Sequence, residues 1–141
     1  MNISLKKARI IIRKALEAGA AAEMKPLSVV VVDAGGHVIA FERSDGASPG
    51  RFDVALGKAY GCVMLGMTGS AQRDRAEAQA YFVGAMNGLF GGRFVPVPGG
   101  VLVRGKDGAV IGAVGVTGDS SENDAVAALA GIDAAGFVGE A

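Results

Sequence analysis

The stretch Val29-Val-Val-Val-Asp33-Ala-Gly-Gly-His37-Val-Ile-Ala-Phe-Glu-Arg43 decides the fold. It consists of two apolar runs rich in β-branched residues, separated by a glycine-containing turn, which is the signature of a β-hairpin. Strands are expected at Leu27–Asp33 and His37–Arg43, with Ala34-Gly35-Gly36 turning between them, because glycine reaches positive φ without steric cost. A second stretch repeats the pattern. Pro96-Val-Pro-Gly-Gly100-Val-Leu-Val-Arg104 leads to Asp107-Gly108 and then Ile111-Gly-Ala-Val-Gly-Val-Thr-Gly118. It predicts strands at Gly100–Arg104 and Ala109–Thr117, turned by Lys106-Asp107-Gly108, and a further strand near Phe94–Val97.

Helical patterns surround these runs. Leu5, Ala8, Ile12, Ala15, Leu16 and Gly19 recur at helical spacing while Lys6, Lys7, Arg13, Lys14 and Glu17 take the other face, so an amphipathic helix over about residues 3–23 is expected. Ser48-Pro49 reads as an N-cap and first helical residue, opening a helix over about 50–66. That helix contains Ala55, Gly57, Ala59 and Gly61. An interior glycine costs about 1 kcal/mol relative to alanine, so close approach of another element is expected there. Residues 70–87 read as one further helix. Ser120 or Ser121 caps a last one through Ala135, with Gly136 in the terminating position. The order helix, two strands, helices, three strands, helix implies an α/β (α+β) fold with a mostly antiparallel five-stranded sheet covered by helices.

Taken together, the two quoted stretches resemble the GlcG/HbpS family, also called haem-degrading-like. The family includes the C-terminal domain of PduO-type corrinoid adenosyltransferases. The resemblance spans about residues 5–135 and implies a profilin-like layout, residues 1–141 forming a single domain, and a pocket for haem or another anionic small molecule. It also implies the company of organic-acid catabolism, and hence an alternative reading as an enzyme on a small carboxylate. Family members with haem carried on the first helix use a histidine there; this first helix has none.

Composition sets outer bounds. Of the 141 residues half are hydrophobic and 20% are charged, against an average near 25% charged. So little charge on a small domain leaves apolar area to be covered between subunits, and an even-numbered homo-oligomer is expected. Charges balance at zero with no basic run beyond Lys6-Lys7, and there is no Trp. This does not fit a nucleic-acid binder. The apolar run Ile10–Ile12 is too short for the core of a secretory signal, about 7–15 residues. No stretch approaches the ~20 apolar residues of a membrane span, so a cytoplasmic protein with no membrane partner is expected. The lone cysteine, Cys62, excludes an internal disulfide.

The candidate site residues are few. His37 is the single histidine; it reads as a turn residue bonding locally or as a haem ligand. No protein metal site is otherwise expected, because Cys62, Met64 and Met67 are ordinary core fillers. Gly115–Asp124 runs from strand to helix but lacks a phosphate-loop lysine, and its Asp119, Glu122 and Asp124 would repel phosphate. Lys58 stands among glycine and alanine, and a lysine so placed seeks a carboxylate or an anionic ligand. Asp45 is the nearest candidate partner in sequence. Gly99 and Gly100 leave bare amides after two prolines. In the family a Lys-Ala pair occupies the place of Lys58-Ala59, and the resemblance extends to Gly99-Gly100. Lys58, Asp45, Gly99 and Gly100 are therefore expected to line one carboxylate-accepting cavity, with Lys58 as charge clamp or base in the enzyme reading.

Overall fold

The computed structural model describes residues 2–141. Five helices and five strands follow in the order α1 (Leu5–Ala21), β1 (Ser28–Asp33), β2 (Val38–Arg43), α2 (Arg51–Leu65), α3 (Gly69–Ala78), α4 (Ala80–Leu89), β3 (Gly100–Arg104), β4 (Val110–Thr117), α5 (Ser121–Ala134) and β5 (Val138–Glu140). The strands form one sheet in the order β2-β1-β4-β3-β5, antiparallel throughout. The fold is α+β.

β1 reads as an unbroken valine run because it is buried on both faces. Val29 and Val31 join the core beneath α1 and α5, while Val30 and Val32 join the core beneath α2. Alternation along a strand sends successive side chains to opposite faces, so a strand with a helix layer on each side has no polar position to spare. β2, at the sheet edge, keeps only half-buried and exposed residues. The expected hairpin is present, with Gly36 at φ +82°.

On one face α1 and α5 pack closely. A Cβ on Gly131 of α5 would lie 3.1 Å from the Ala15 Cβ of α1, so glycine sets how near the helices come. On the other face α2 lies across β4, where a Cβ on Gly115 would collide with the Ala55 carbonyl oxygen. Ser4, Thr68 and Ser120 each accept a backbone N–H of the first turn that follows, capping α1, α3 and α5. Gly136 takes φ +85° beyond α5, as its position predicts.

Four details differ from the sequence reading. Residues 94–97 are not a strand; Pro96 and Pro98 have no N–H to give a ladder, and the segment instead crosses α2 with the Val95 N–H donating to the Gly57 carbonyl at 3.2 Å. The fifth strand is β5, which pairs with β3 from Leu102↔Glu140 to Arg104↔Val138. The expected helix over 70–87 is two helices. The N–H of Gln79 closes α3 on Arg75 while its carbonyl opens α4, accepting from Phe82 and Val83. α2 starts at Arg51 with Gly50 in the cap position, and the Ser48 hydroxyl accepts from Arg51 Nε at 3.0 Å rather than from the backbone.

Candidate functional site

Lys58 is buried, 3% exposed. Its Nζ donates to Asp124 Oδ2 at 2.9 Å and to the Val116 carbonyl at 2.9 Å. The other carboxylate oxygen of Asp124 accepts the Asp119 N–H at 3.0 Å. The pair therefore ties α2 on one face of the sheet to α5 on the other. It crosses where β3 begins, and glycine makes that crossing feasible. A Cβ on Gly99, at φ +107°, would stand 2.8 Å from the ammonium and 2.6 Å from the Val116 carbonyl oxygen. One on Gly100 would stand 2.5 Å from the Lys58 carbonyl oxygen.

Burial pulls both members of the pair toward their neutral forms, lowering Lys58 and raising Asp124, and their mutual attraction opposes this. Desolvation likewise pushes the Cys62 thiol up to about 12, which makes it inert packing. Asp119, on the same loop, is held down to about 2 chiefly by the Lys25 N–H.

Three of the five residues singled out from sequence thus meet: Lys58, Gly99 and Gly100. Asp45 is elsewhere. The carboxylate that Lys58 finds is Asp124, whereas Asp45 is exposed in the turn after β2, in a shallow depression with Gly19, Met24 and Pro26. The ammonium spends two of its three donors on Asp124 and Val116, and Lys58 is buried beneath Gly99 rather than open to a substrate carboxylate. The acidic segment that opens α5 gives one of its carboxylates, Asp124, to this pair.

His37 projects from the β1–β2 turn, with its side chain 81% exposed and Nδ1 3.2 Å from Asp33 Oδ1. The same oxygen accepts the N–H groups of Gly35 and His37, a closed turn in which the His37 N–H does most to hold the Asp33 carboxyl below its usual range. Among the described residues the other ring nitrogen has no hydrogen-bond partner.

Beside this turn lies a groove of about 420 Å³, between Gly36, the outer side of α2 and residues Gly92–Val95. Leu56, Tyr60 and Val95 make its apolar floor, and Asp53 and Arg93 are its charged lining residues. Gly57 sets the geometry: a Cβ there would stand 2.6 Å from Val95 Cγ2, so only glycine lets the 93–95 segment lie on the helix. Tyr60 is braced by Phe90 and Phe94, with ring centroids at 6.3 and 5.9 Å. The Arg93 guanidinium stacks over Tyr60 at 4.1 Å. Sequence reasoning missed Asp53, Tyr60 and Arg93. The available signal was the small-residue helix, which did announce a close approach but not by which segment.

The family model described as haem degrading protein HbpS-like matches residues 3–133. The chain belongs to this HbpS-like family. It is 32% identical over 139 residues, covering 94% of this chain and 96% of the other, to an uncharacterised 15.0 kDa protein from the dhaT–dhaS intergenic region of Citrobacter freundii. Among solved structures, a double mutant of Streptomyces reticuli HbpS superposes with TM-score 0.80 at 28% identity, over 94% of this chain and 86% of that one. A PduOC:heme complex shares the fold over the full length of both chains, with TM-score 0.87 at 24% identity. Among the described residues no helix is long and apolar enough to cross a membrane, and no group of three or more His, Cys, Asp or Glu could hold a metal ion.

Proposed function

We propose that this chain is a single-domain binding protein that takes haem, or another flat anionic molecule, in the groove between the His37 turn and Arg93, and that it works as an even-numbered homo-oligomer. The observation that carries the reading is the groove itself. An aromatic and aliphatic floor suits a planar ring, a guanidinium suits a carboxylate, and the only imidazole of the chain stands next to Gly36 on the rim. Membership of the HbpS-like family and the haem carried by the PduOC relative support the same ligand class. The residues fit haem in kind. Tyr60, Leu56 and Val95 would cover one face, Arg93 would meet a propionate, and His37 would offer its unbonded ring nitrogen. Bound haem would supply an iron centre with one strong nitrogen ligand from each chain. Only one imidazole is present, and the groove is open, so binding is expected to be weak.

The test is a hemin titration followed at the Soret band. The wild type should give a saturable band, His37→Ala a changed ligation spectrum, and Arg93→Gln a several-fold weaker affinity. An identical spectrum and affinity in both variants would remove this site. The apolar residues left on the surface, Tyr81, Leu89, Val126 and Val138 above all, support the oligomer.

A further inference from the structure

On the face covered by α2, the sheet ends in a row of side chains that hold hydrogen-bond donors and lack acceptors. Ser28 of β1 pairs with Arg43 of β2 on one side and with Thr117 of β4 on the other. Register partners of antiparallel strands stand side by side on one face, their Cβ atoms about 5 Å apart. That face is the one beneath α2, because Val30 and Val32, in step with Ser28, join the core there. The first residue of α2 reaches the same row. Arg51 donates from Nη1 to Thr117 Oγ1 at 2.8 Å and from Nε to Ser48 Oγ at 3.0 Å.

The balance of donors is one-sided. Ser28 is fully buried and its hydroxyl has no hydrogen-bond partner among the described residues; native folds leave few buried polar groups in that state. Among the described residues neither Arg43 nor Arg51 pairs with a carboxylate. α2 itself starts without a side-chain cap. The Arg51 N–H donates to the Ser48 carbonyl and the Val54 N–H to the Gly50 carbonyl, which leaves the N–H groups of Phe52 and Asp53 without an acceptor in the chain. The approach is open, since a Cβ on Gly50 would meet nothing within 4 Å. Nearby carboxylates face elsewhere or are spent. Asp53 stands about 200° round the helix from Arg51 and lines the groove. Glu42 pairs with Val29, whose face is that of α1 and α5, and Asp45 lies in the depression beside α1. Asp119 accepts from Lys25 and Asn123, Asp124 from Lys58, and Glu122 from Arg73.

We propose that Arg43, Arg51 and Ser28, with the uncapped start of α2, form a binding site for a phosphate group, separate from the haem groove. Two guanidinium charges match a phosphate dianion, and the first N–H groups of a helix favour the same ligand. Donors arrive from the sheet below and from the helix end beside it. A tetrahedral set of oxygens meets both directions, whereas the two oxygens of a planar carboxylate do not. An oxygen seated between the arginines gives the Ser28 hydroxyl the acceptor it lacks within the chain.

The test is a titration of the full chain with inorganic phosphate, without hemin, followed through the backbone amide signals of Phe52 and Asp53 and the arginine Nε–H signals in NMR spectra. Saturable shifts are expected at these positions. Arg43→Gln, at an exposed side chain, should weaken the affinity about tenfold without touching the fold. Ser28→Ala should weaken it several-fold and leave the unfolding midpoint in the absence of phosphate unchanged or raised. Lys106→Gln, which removes a charge from the β3–β4 turn, should change nothing. Absence of saturable shifts at millimolar phosphate would overturn the site, and so would an equal loss in Lys106→Gln, which would mark diffuse attraction. A midpoint lowered by Ser28→Ala would show that its hydroxyl already has a partner and would overturn the site as drawn. Tighter binding of succinate than of phosphate at the same amides would overturn the choice of ligand. Competition between phosphate and hemin would place the phosphate in the groove and overturn the separate site, whereas failure of hemin to bind at all would leave it standing.

Discussion

Helices α2 and α4 each carry two glycines four residues apart, Gly57 and Gly61 in one, Gly84 and Gly88 in the other, and the chain fills only the first pair. A Cβ on Gly57 would strike Val95, and one on Gly61 would stand 2.7 Å from Gln72 Oε1, whereas α4 offers open space at both positions. Each glycine in a helix interior costs about 1 kcal/mol. In α2 the return is visible within the chain: the 93–95 segment lies down, the groove takes shape and Lys58, between the two glycines, reaches Asp124. In α4 no such return is visible within the chain. The same local spacing therefore marks a closed contact in one helix and an unfilled one in the other, and only the tertiary surroundings tell them apart.

The largest effect is expected where α2 is most closed. Lys58→Met leaves Asp124 buried without its cation, and breaking a buried ion pair from one side costs about 3–5 kcal/mol. Chemical denaturation should show a loss of that order, and Lys58→Met combined with Asp124→Leu should recover much of it. If Lys58→Met unfolds at the same denaturant concentration as the wild type, the pair does not hold α2 to α5.

Next comes Gly57→Ala. The added methyl gains helix propensity but would lie 2.6 Å from Val95 Cγ2 and 3.0 Å from the Arg93 carbonyl oxygen. Overpacking of this kind costs about 1–3 kcal/mol. The variant should be less stable and should also shift the groove, lowering hemin affinity. Unchanged stability with unchanged hemin binding would show that the 93–95 segment moves freely away from α2.

Gly61→Ala sharpens the distinction between rigid and yielding neighbours. Its methyl meets a side-chain amide oxygen that has no hydrogen-bond partner, not backbone. Gln72 holds its place by donating through Nε2 to the Met67 carbonyl at 3.1 Å and to Cys62 Sγ at 3.4 Å. The substitution should therefore cost less than Gly57→Ala, within about 1 kcal/mol once propensity is counted. A loss larger than that of Gly57→Ala would mean that Gln72 is the more rigid wall.

The same division between near and far explains what the sequence made legible. The hairpin at residues 29–43 could be read because a valine run and a glycine turn are local features, and so could the end of α5 at Gly136. β5 could not, since three residues carry no periodicity and its partner, β3, lies beyond both α5 and β4 in the chain. The run 94–97 reads as a strand because its valines and phenylalanine are apolar; Pro96 within it and Pro98 just after it are the contrary signal. Lys58 was legible as a buried cation from the small residues beside it. Its partner was not, because Asp45 is near in the chain while Asp124, across the sheet, is near in space. Tyr60 and Arg93 escaped for the same reason: Gly57 brings them together, and no spacing rule links them.

The smallest expected effect has the opposite sign and lies in α4. Gly84→Ala removes backbone freedom from the unfolded chain and adds a methyl that meets nothing within 4 Å. At a compatible helical position this stabilises by about 0.4–1 kcal/mol. Measured at a dilution where only single chains remain, Gly84→Ala should raise the denaturation midpoint modestly, whereas the same change at Gly57 lowers it. A lowered midpoint would mean that a neighbour packs against Gly84 and that α4 is not open at this position.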